Sequence, residues 1–247
     1  MIVPFLLKFF AARAPMYSAS LRGVSLDDIR LCEKNCSLSF PRTYTDFLVA
    51  MGDECGDFHP FGPSQSCDFY ELLESFSPDG YPDRYFKVAF ESSPMAVTRF
   101  DFFLDLQRSD GIDAPLVSFE EMDEFVPQAV QEVGFTLGEQ IARRAFDVFE
   151  VDRRAFTRTL RLLPASSAEA RSAMKLAIAT LELQGLSEVL PPLPRVRCLD
   201  DDRLSALVEL RESTTGARIR LGSADRGDLE RCTEQLLERL PDAVVDD

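Results

Sequence analysis

Four residues in the first quarter of the chain have the spacing of a tetrahedral metal site. Cys32-x3-Cys36 and Cys55-x3-His59 flank one apolar helical segment, as two zinc-binding half-sites would. A structural zinc needs all four ligands to converge, and small buried thiols are a common use of cysteine, so no metal and no cofactor are expected. His59 is the only histidine in the chain, which excludes a two-histidine centre and argues against mechanisms built on a histidine base. No glycine-rich phosphate loop, Walker lysine or dinucleotide fingerprint is present. Neighbouring carboxylates are plentiful, but in so acidic a chain they arise by accident and do not mark a glycosidase pair. The residues therefore point to a protein that is not an enzyme.

Charge is the more informative chemistry. Residues 1–150 carry 25 Asp+Glu against 12 Lys+Arg, a net of −13, while the remainder is nearly balanced. No basic residue lies between Arg42 and Arg84, nor between Arg108 and Arg143. Such a surface repels nucleic acid and attracts basic proteins. The first gap coincides with a loop-rich segment from Asp53 to Asp83, and recognition tends to sit on loops held by a rigid scaffold. The expected partner-binding surface comprises Asp53, Glu54, Asp57, Phe58, Phe61, Asp68, Phe69, Tyr70, Glu71 and Glu74, joined by Asp110, Asp113, Glu120 and Glu121. The aromatics would be its apolar anchors. A solvated acidic face kept for solubility is the competing reading.

The elements that must position these residues are legible from periodicity. Phe100, Phe102, Leu104 and Leu106 alternate with Arg99, Asp101 and Asp105, which predicts a strand with one buried and one wet face, broken only by Phe103. Asp110-Gly111 offers a turn, and Pro115–Phe119 a returning strand. Tyr85–Phe90 reads as a preceding strand. Ser25-x-x-Asp28 caps a short helix, Pro41 opens a second with Tyr44, Phe47, Leu48 and Met51 on one stripe, and Gly52 ends it. Ser118-x-x-Glu121 predicts a helix through Met122, Phe125, Val126, Ala129, Val130 and Val133. Thr136-x-x-Glu139 predicts another, with Leu137, Ile141, Ala145 and Phe149 on one face. These helices would cover Phe100, Phe102 and Leu104.

The run from Ser25 to Gly56, with Ile29, Glu33, Phe40-Pro41, Tyr44 and Phe47-Leu48, resembles the opening signature of the SUKH superfamily. Phe100-Asp101, Asp110-Gly111 and Pro115-Leu116-Val117 resemble its central hairpin, and Phe135–Phe149 its closing helix. The resemblance spans residues 25–149. It implies an α+β fold with an antiparallel sheet and helices from both ends packed on it. It also implies an immunity protein that binds and neutralises a cognate bacterial polymorphic toxin, a basic nuclease domain being one class that an acidic protein would suit. An intracellular scaffold or regulatory adaptor is the alternative, and an unrecognised hydrolase a third.

Beyond the resemblance, residues 151–247 predict a small α+β module. Its elements are an edge strand at Phe156–Leu162, a helix capped by Ser166-x-x-Glu169 and ended by Gly185, and a proline-rich connector at Pro191, Pro192 and Pro194. A hairpin of Leu204–Leu210 with Ala217–Leu221, a last helix through Leu229, Cys232, Leu236, Leu237 and Leu240, and a frayed tail follow. The expected domains are 16–150 and 151–247, the second docked on the first. Residues 1–15 are either an added strand or helix, or precede a start at Met16. Their apolar run is too short to span a bilayer and a poor signal peptide. Six irregularly spaced cysteines argue for reduced thiols and a cytoplasmic protein.

Overall fold

The computed structural model describes residues 1–56, 58–75, 82–93, 95–96, 100–120, 126, 129–163, 166–211 and 216–246. They form an α+β protein whose sheets pair only antiparallel strands. Two compact units divide between Ile141 and Ala142 instead of between 150 and 151. The stretch that moves across carries Asp147 and Glu150, which ion-pair with Arg220 and Arg154 of the second unit. No helix among the described residues is long and apolar enough to cross a membrane.

Unit 1 begins with helix α1 (Val3–Arg13), which buries Val3, Leu6, Phe9 and Phe10. Phe10 meets the Tyr17 ring edge-on at 5.1 Å and Phe58 at 5.6 Å, so residues 1–15 are part of the core and not an appendage. Leu6→Ala is expected to cost about 2 to 3 kcal/mol, read as a lowered denaturant midpoint, because it empties a fully buried site. A short α2 (Pro15–Ser18) leads to α3 (Leu26–Cys36), capped by Ser25, whose Oγ accepts from the Asp28 amide at 3.1 Å. Glu33 then reaches forward: its Oε1 accepts the Phe40 amide at 2.7 Å and sets the entry to α4 (Arg42–Met51). The apolar stripe of α4 is buried as its spacing predicts.

The sheet of unit 1 runs β1 (Gln65–Ser66), β2 (Tyr85–Glu91), β3 (Phe100–Asp105), β4 (Pro115–Glu120) and β5 (Gln131–Thr136), neighbours in sequence being neighbours in space. Helix α5 (Phe69–Ser75) follows β1, and α6 (Leu137–Phe146) follows β5. The expected β3–β4 hairpin is formed, with Leu104 opposite Leu116. Its turn does more than reverse the chain. The carbonyls of Gly111 and Ile112 accept the first two amides of α4, at 3.1 and 2.8 Å, and Asp113 accepts the Gly138 amide at 3.0 Å as α6 begins. Thr136 and Glu139 complete the capping box there.

Two expectations for this unit are corrected. The wet face of β3 is in fact buried: Asp101 is 1% exposed and Phe103 fully enclosed, whereas Phe100 is 37% exposed and Phe102 and Leu106 half-buried. Phe103 stacks on Phe119 at 3.8 Å in a cluster with Tyr85, Val117 and Val130. The acids can be interior because each has a cation. Lys87, also 1% exposed, pairs with Asp101 at 2.8 Å, and Arg84 with Asp105. Both faces of the sheet are therefore packed: Phe86, opposite Leu104, meets Phe40 and Tyr44 on the face where Phe102 meets Phe61, and the Phe103 cluster fills the other. Neither Val126, which is exposed, nor Val130, on the Phe103 side, covers Phe102.

The second correction concerns the helix expected over 118–133. Ser118–Glu120 ends β4 and Gln131–Thr136 is β5, paired through Ser118 and Gln131. Gly134, at φ +85°, suits a strand irregularity and not a helix. Arg99, Asp57, Glu121, Met122 and Phe125 lie outside the described residues.

Unit 2 comprises β6 (Phe156–Leu162), α7 (Ser167–Leu183), β7 (Ser187–Glu188), β8 (Val196–Asp200), β9 (Leu204–Arg211), β10 (Gly216–Ser223), α8 (Arg226–Arg239) and β11 (Ala243–Asp246). Its sheet order is β11-β6-β10-β9-β8-β7. The tail is thus a strand, and β6 lies inside the sheet instead of on its edge. Leu160, Ala206, Val208, Ile219 and Leu221 face Met174, Ile178, Leu229 and Leu236 of the helices in one core. The opposite face is ionic: Arg143 and Arg218 pair with the buried Glu209, and Arg154 with Asp200. Gly185, at φ +99°, ends the α7 segment as its position predicts.

Candidate functional site: an acidic cleft in unit 1

The segments that leave α4, form β1 and enter α5 enclose a cleft of about 560 Å³. Asp53, Glu54, Cys55 and Gly56 form one wall, Gln65, Ser66 and Cys67 another, and Asp68 and Glu71 a third, with Phe58, His59, Pro63 and Ser92 between them. Four carboxylates thus line one opening.

Backbone contacts fix the first wall. The Arg22 carbonyl accepts both the Asp53 and Glu54 amides at 3.1 Å, and the Arg22 amide returns a bond to the Glu54 carbonyl at 3.2 Å. Between these, Gly23 lies so close to α4 that a Cβ on it would stand 1.6 Å from the Val49 carbonyl oxygen. Tyr17 donates its hydroxyl to the Cys55 carbonyl at 2.9 Å, and Gly56 turns at φ +56° against the Tyr17 ring. On the third wall, Asp68 Oδ1 accepts the amides of Tyr70 and Glu71 at 2.9 and 3.0 Å, so this acid is also the cap of α5. Glu71 accepts from Ser66 Oγ at 2.7 Å. Glu91 takes hydrogen bonds from both Ser64 and Gln65 at 2.8 Å, tying β1 to β2.

The sulfurs of Cys55 and Cys67 lie 3.2 Å apart. The hydrogen bond it shares with Cys55, together with burial, holds the Cys67 thiol well above its ordinary pKa. Cys32 instead has Cys36 as its neighbour, and burial pushes its thiol up to about 12. The zinc-like spacing in the sequence thus resolves into two cysteine pairs, and no group of three or more metal-ligating side chains gathers among the described residues.

The expected partner-binding residues separate into three groups. Asp53, Glu54, Asp68 and Glu71 converge on the cleft, and the exposed Tyr70, whose hydroxyl hydrogen-bonds Asp28 at 3.0 Å, flanks it with Glu74 on the same helix. Phe58, Phe61 and Phe69 are core residues and not the exposed anchors expected of them, which leaves Tyr70 as the exposed aromatic among the four. Asp110, Asp113 and Glu120 are not at the cleft. Asp110 and Asp113 sit at the N-terminal end of α4 and Asp53 beyond its C-terminal end, a helix length of about 15 Å away. Both acids serve the turn: the amides of Asp113 and Ile112 hold the Asp110 carboxyl below its usual pKa, while burial raises that of Asp113. Glu120 ends β4, three strands from β1 and so about 14 Å across the sheet.

Cys67, Gln65, Ser66 and Ser92 complete the cleft without any sequence signal of their own. What fold and site define is an α+β protein with an acidic cleft that holds a dithiol. Comparison with family models and with curated proteins finds no match for this chain.

Proposed function

We propose that this is a non-catalytic immunity protein of the SUKH type, which binds a cognate bacterial toxin and blocks it stoichiometrically in the cytoplasm. The observation that carries the reading is the convergence of Asp53, Glu54, Asp68 and Glu71 on one cleft in the half of the chain with net charge −13. A toxin that cleaves nucleic acid must hold phosphates in a basic groove, and an acidic rim steers and fits such a groove. Tyr70 on the rim offers the rigid amphipathic contact that charge alone lacks.

The test is coexpression with the toxin domain encoded beside this gene, followed by affinity capture and titration of binding against salt. Reversing Asp53, Glu54 and Glu71 to lysine should lower the association rate about tenfold or more at low ionic strength and flatten its salt dependence, with the fold unchanged. Capture of no neighbouring toxin, or unchanged association by the triple variant at low salt, would remove this reading of the cleft.

A further inference from the structure

We propose that Cys55 and Cys67 are a reversible redox clasp on the cleft, closing to a disulfide by exchange with a low-molecular-weight disulfide such as glutathione disulfide. Their sulfurs, 3.2 Å apart, need to approach by only about 1.2 Å to reach bonding distance. Both residues lie outside helices and strands, where the backbone can take up that movement. The other close pair makes the contrast. Cys32 and Cys36 stand on successive turns of α3, which holds their Cβ atoms about 5 to 6 Å apart, wider than a disulfide allows.

Exposure divides the roles. Cys55 is half-buried and lines the cleft, whereas Cys67 is buried. Cys55 as thiolate attacks one sulfur of glutathione disulfide; that S–S bond breaks, and one glutathione leaves as thiolate and is protonated. Cys67 then gives up its proton to solvent, its sulfur attacks that of Cys55, and the second glutathione leaves. Two protein thiols are oxidised and one glutathione disulfide is reduced to two thiols. The new bond fastens the ends of the segment that carries Gly56, Phe58, His59 and Gln65 of the cleft. The clasp does not depend on which partner enters the cleft.

The full-length protein, equilibrated across glutathione redox buffers, acid-quenched and mapped by mass, tests this. At the oxidising end, two of the six thiols should disappear, and the tryptic peptide from Thr43 to Arg84 should lose two hydrogens, reversibly on adding reduced glutathione. Cys67→Ser should instead accumulate one glutathione on Cys55, an adduct that the wild type resolves. Should that variant fail to fold, the wild-type map decides alone. Six thiols persisting at the oxidising end, a Cys32–Cys36 link in place of this one, or a lasting Cys55 adduct in the wild type would overturn the proposal.

Discussion

Gly23→Ala is expected to destabilise unit 1 by more than about 3 kcal/mol, because the added methyl meets backbone, which cannot swing away as a side chain can. Its Cβ would stand 1.6 Å from the Val49 oxygen and 2.4 Å from the Val49 carbonyl carbon. Relief by separating the two segments would break the hydrogen bond from the Val24 amide to Leu48 at 2.9 Å and loosen the Arg22 contacts that hold Asp53 and Glu54. Gly111→Ala is the natural comparison. Gly111 has φ +82° but nothing near its missing Cβ, so its alanine variant should lose only about 1 to 2 kcal/mol of backbone preference. Equilibrium denaturation of both variants measures the difference; equal midpoints would mean that the close approach at Gly23 is not tight.

Lys87→Met should cost about 3 to 5 kcal/mol, since it leaves Asp101 charged and enclosed without its cation. The pair itself is a weaker stabiliser than that figure suggests, because desolvating two ions offsets most of their attraction. The double variant Lys87→Met, Asp101→Leu should therefore recover most of the loss. Chemical denaturation of the single and double variants forms the cycle. A double variant as unstable as the single one would show that the loss lies in packing around Phe103 and not in the stranded charge.

These two sites also mark where sequence reading succeeds and where it stops. Capping boxes at Ser25, Thr136 and Ser166 are local chemistry, and all three operate as their spacing predicts. The α4 stripe reads correctly because that helix buries one apolar stripe, and the Leu204–Leu210 hairpin because Leu204, Ala206, Val208 and Leu210 keep period two, although Ser205, Leu207 and Glu209 on its other face are buried as well. The β3 strand misleads because alternation assumes that a charged residue faces water, whereas Asp101 and Asp105 are neutralised by Lys87 of the neighbouring strand and Arg84 just before it. Nothing within a strand reports its neighbour's charges. The 118–133 segment misleads because apolar spacing in a short run suits helix or strand, and only the partner strand decides. At the cleft, the acids were legible as a base-free gap. That Phe58, Phe61 and Phe69 turn inward, and that Cys55 finds Cys67, depends on how the loops close.

The two sheet orders imply different histories of assembly. In unit 1 each strand pairs with the one before it, so the meander can grow as the chain emerges, through contacts of short sequence separation. Unit 2 cannot grow in this way. Its first strand, β6, lies between β10 and β11, with Leu162 opposite both Ala217 and Ala243. During synthesis and refolding, β6 must wait for these partners, and pulse-labelled amides of β2–β4 should gain protection ahead of those in β6. Until β11 docks, β6 offers a bare edge that invites pairing between chains. Arg158 and Arg161 along it are the kind of charge that keeps nascent edges from joining.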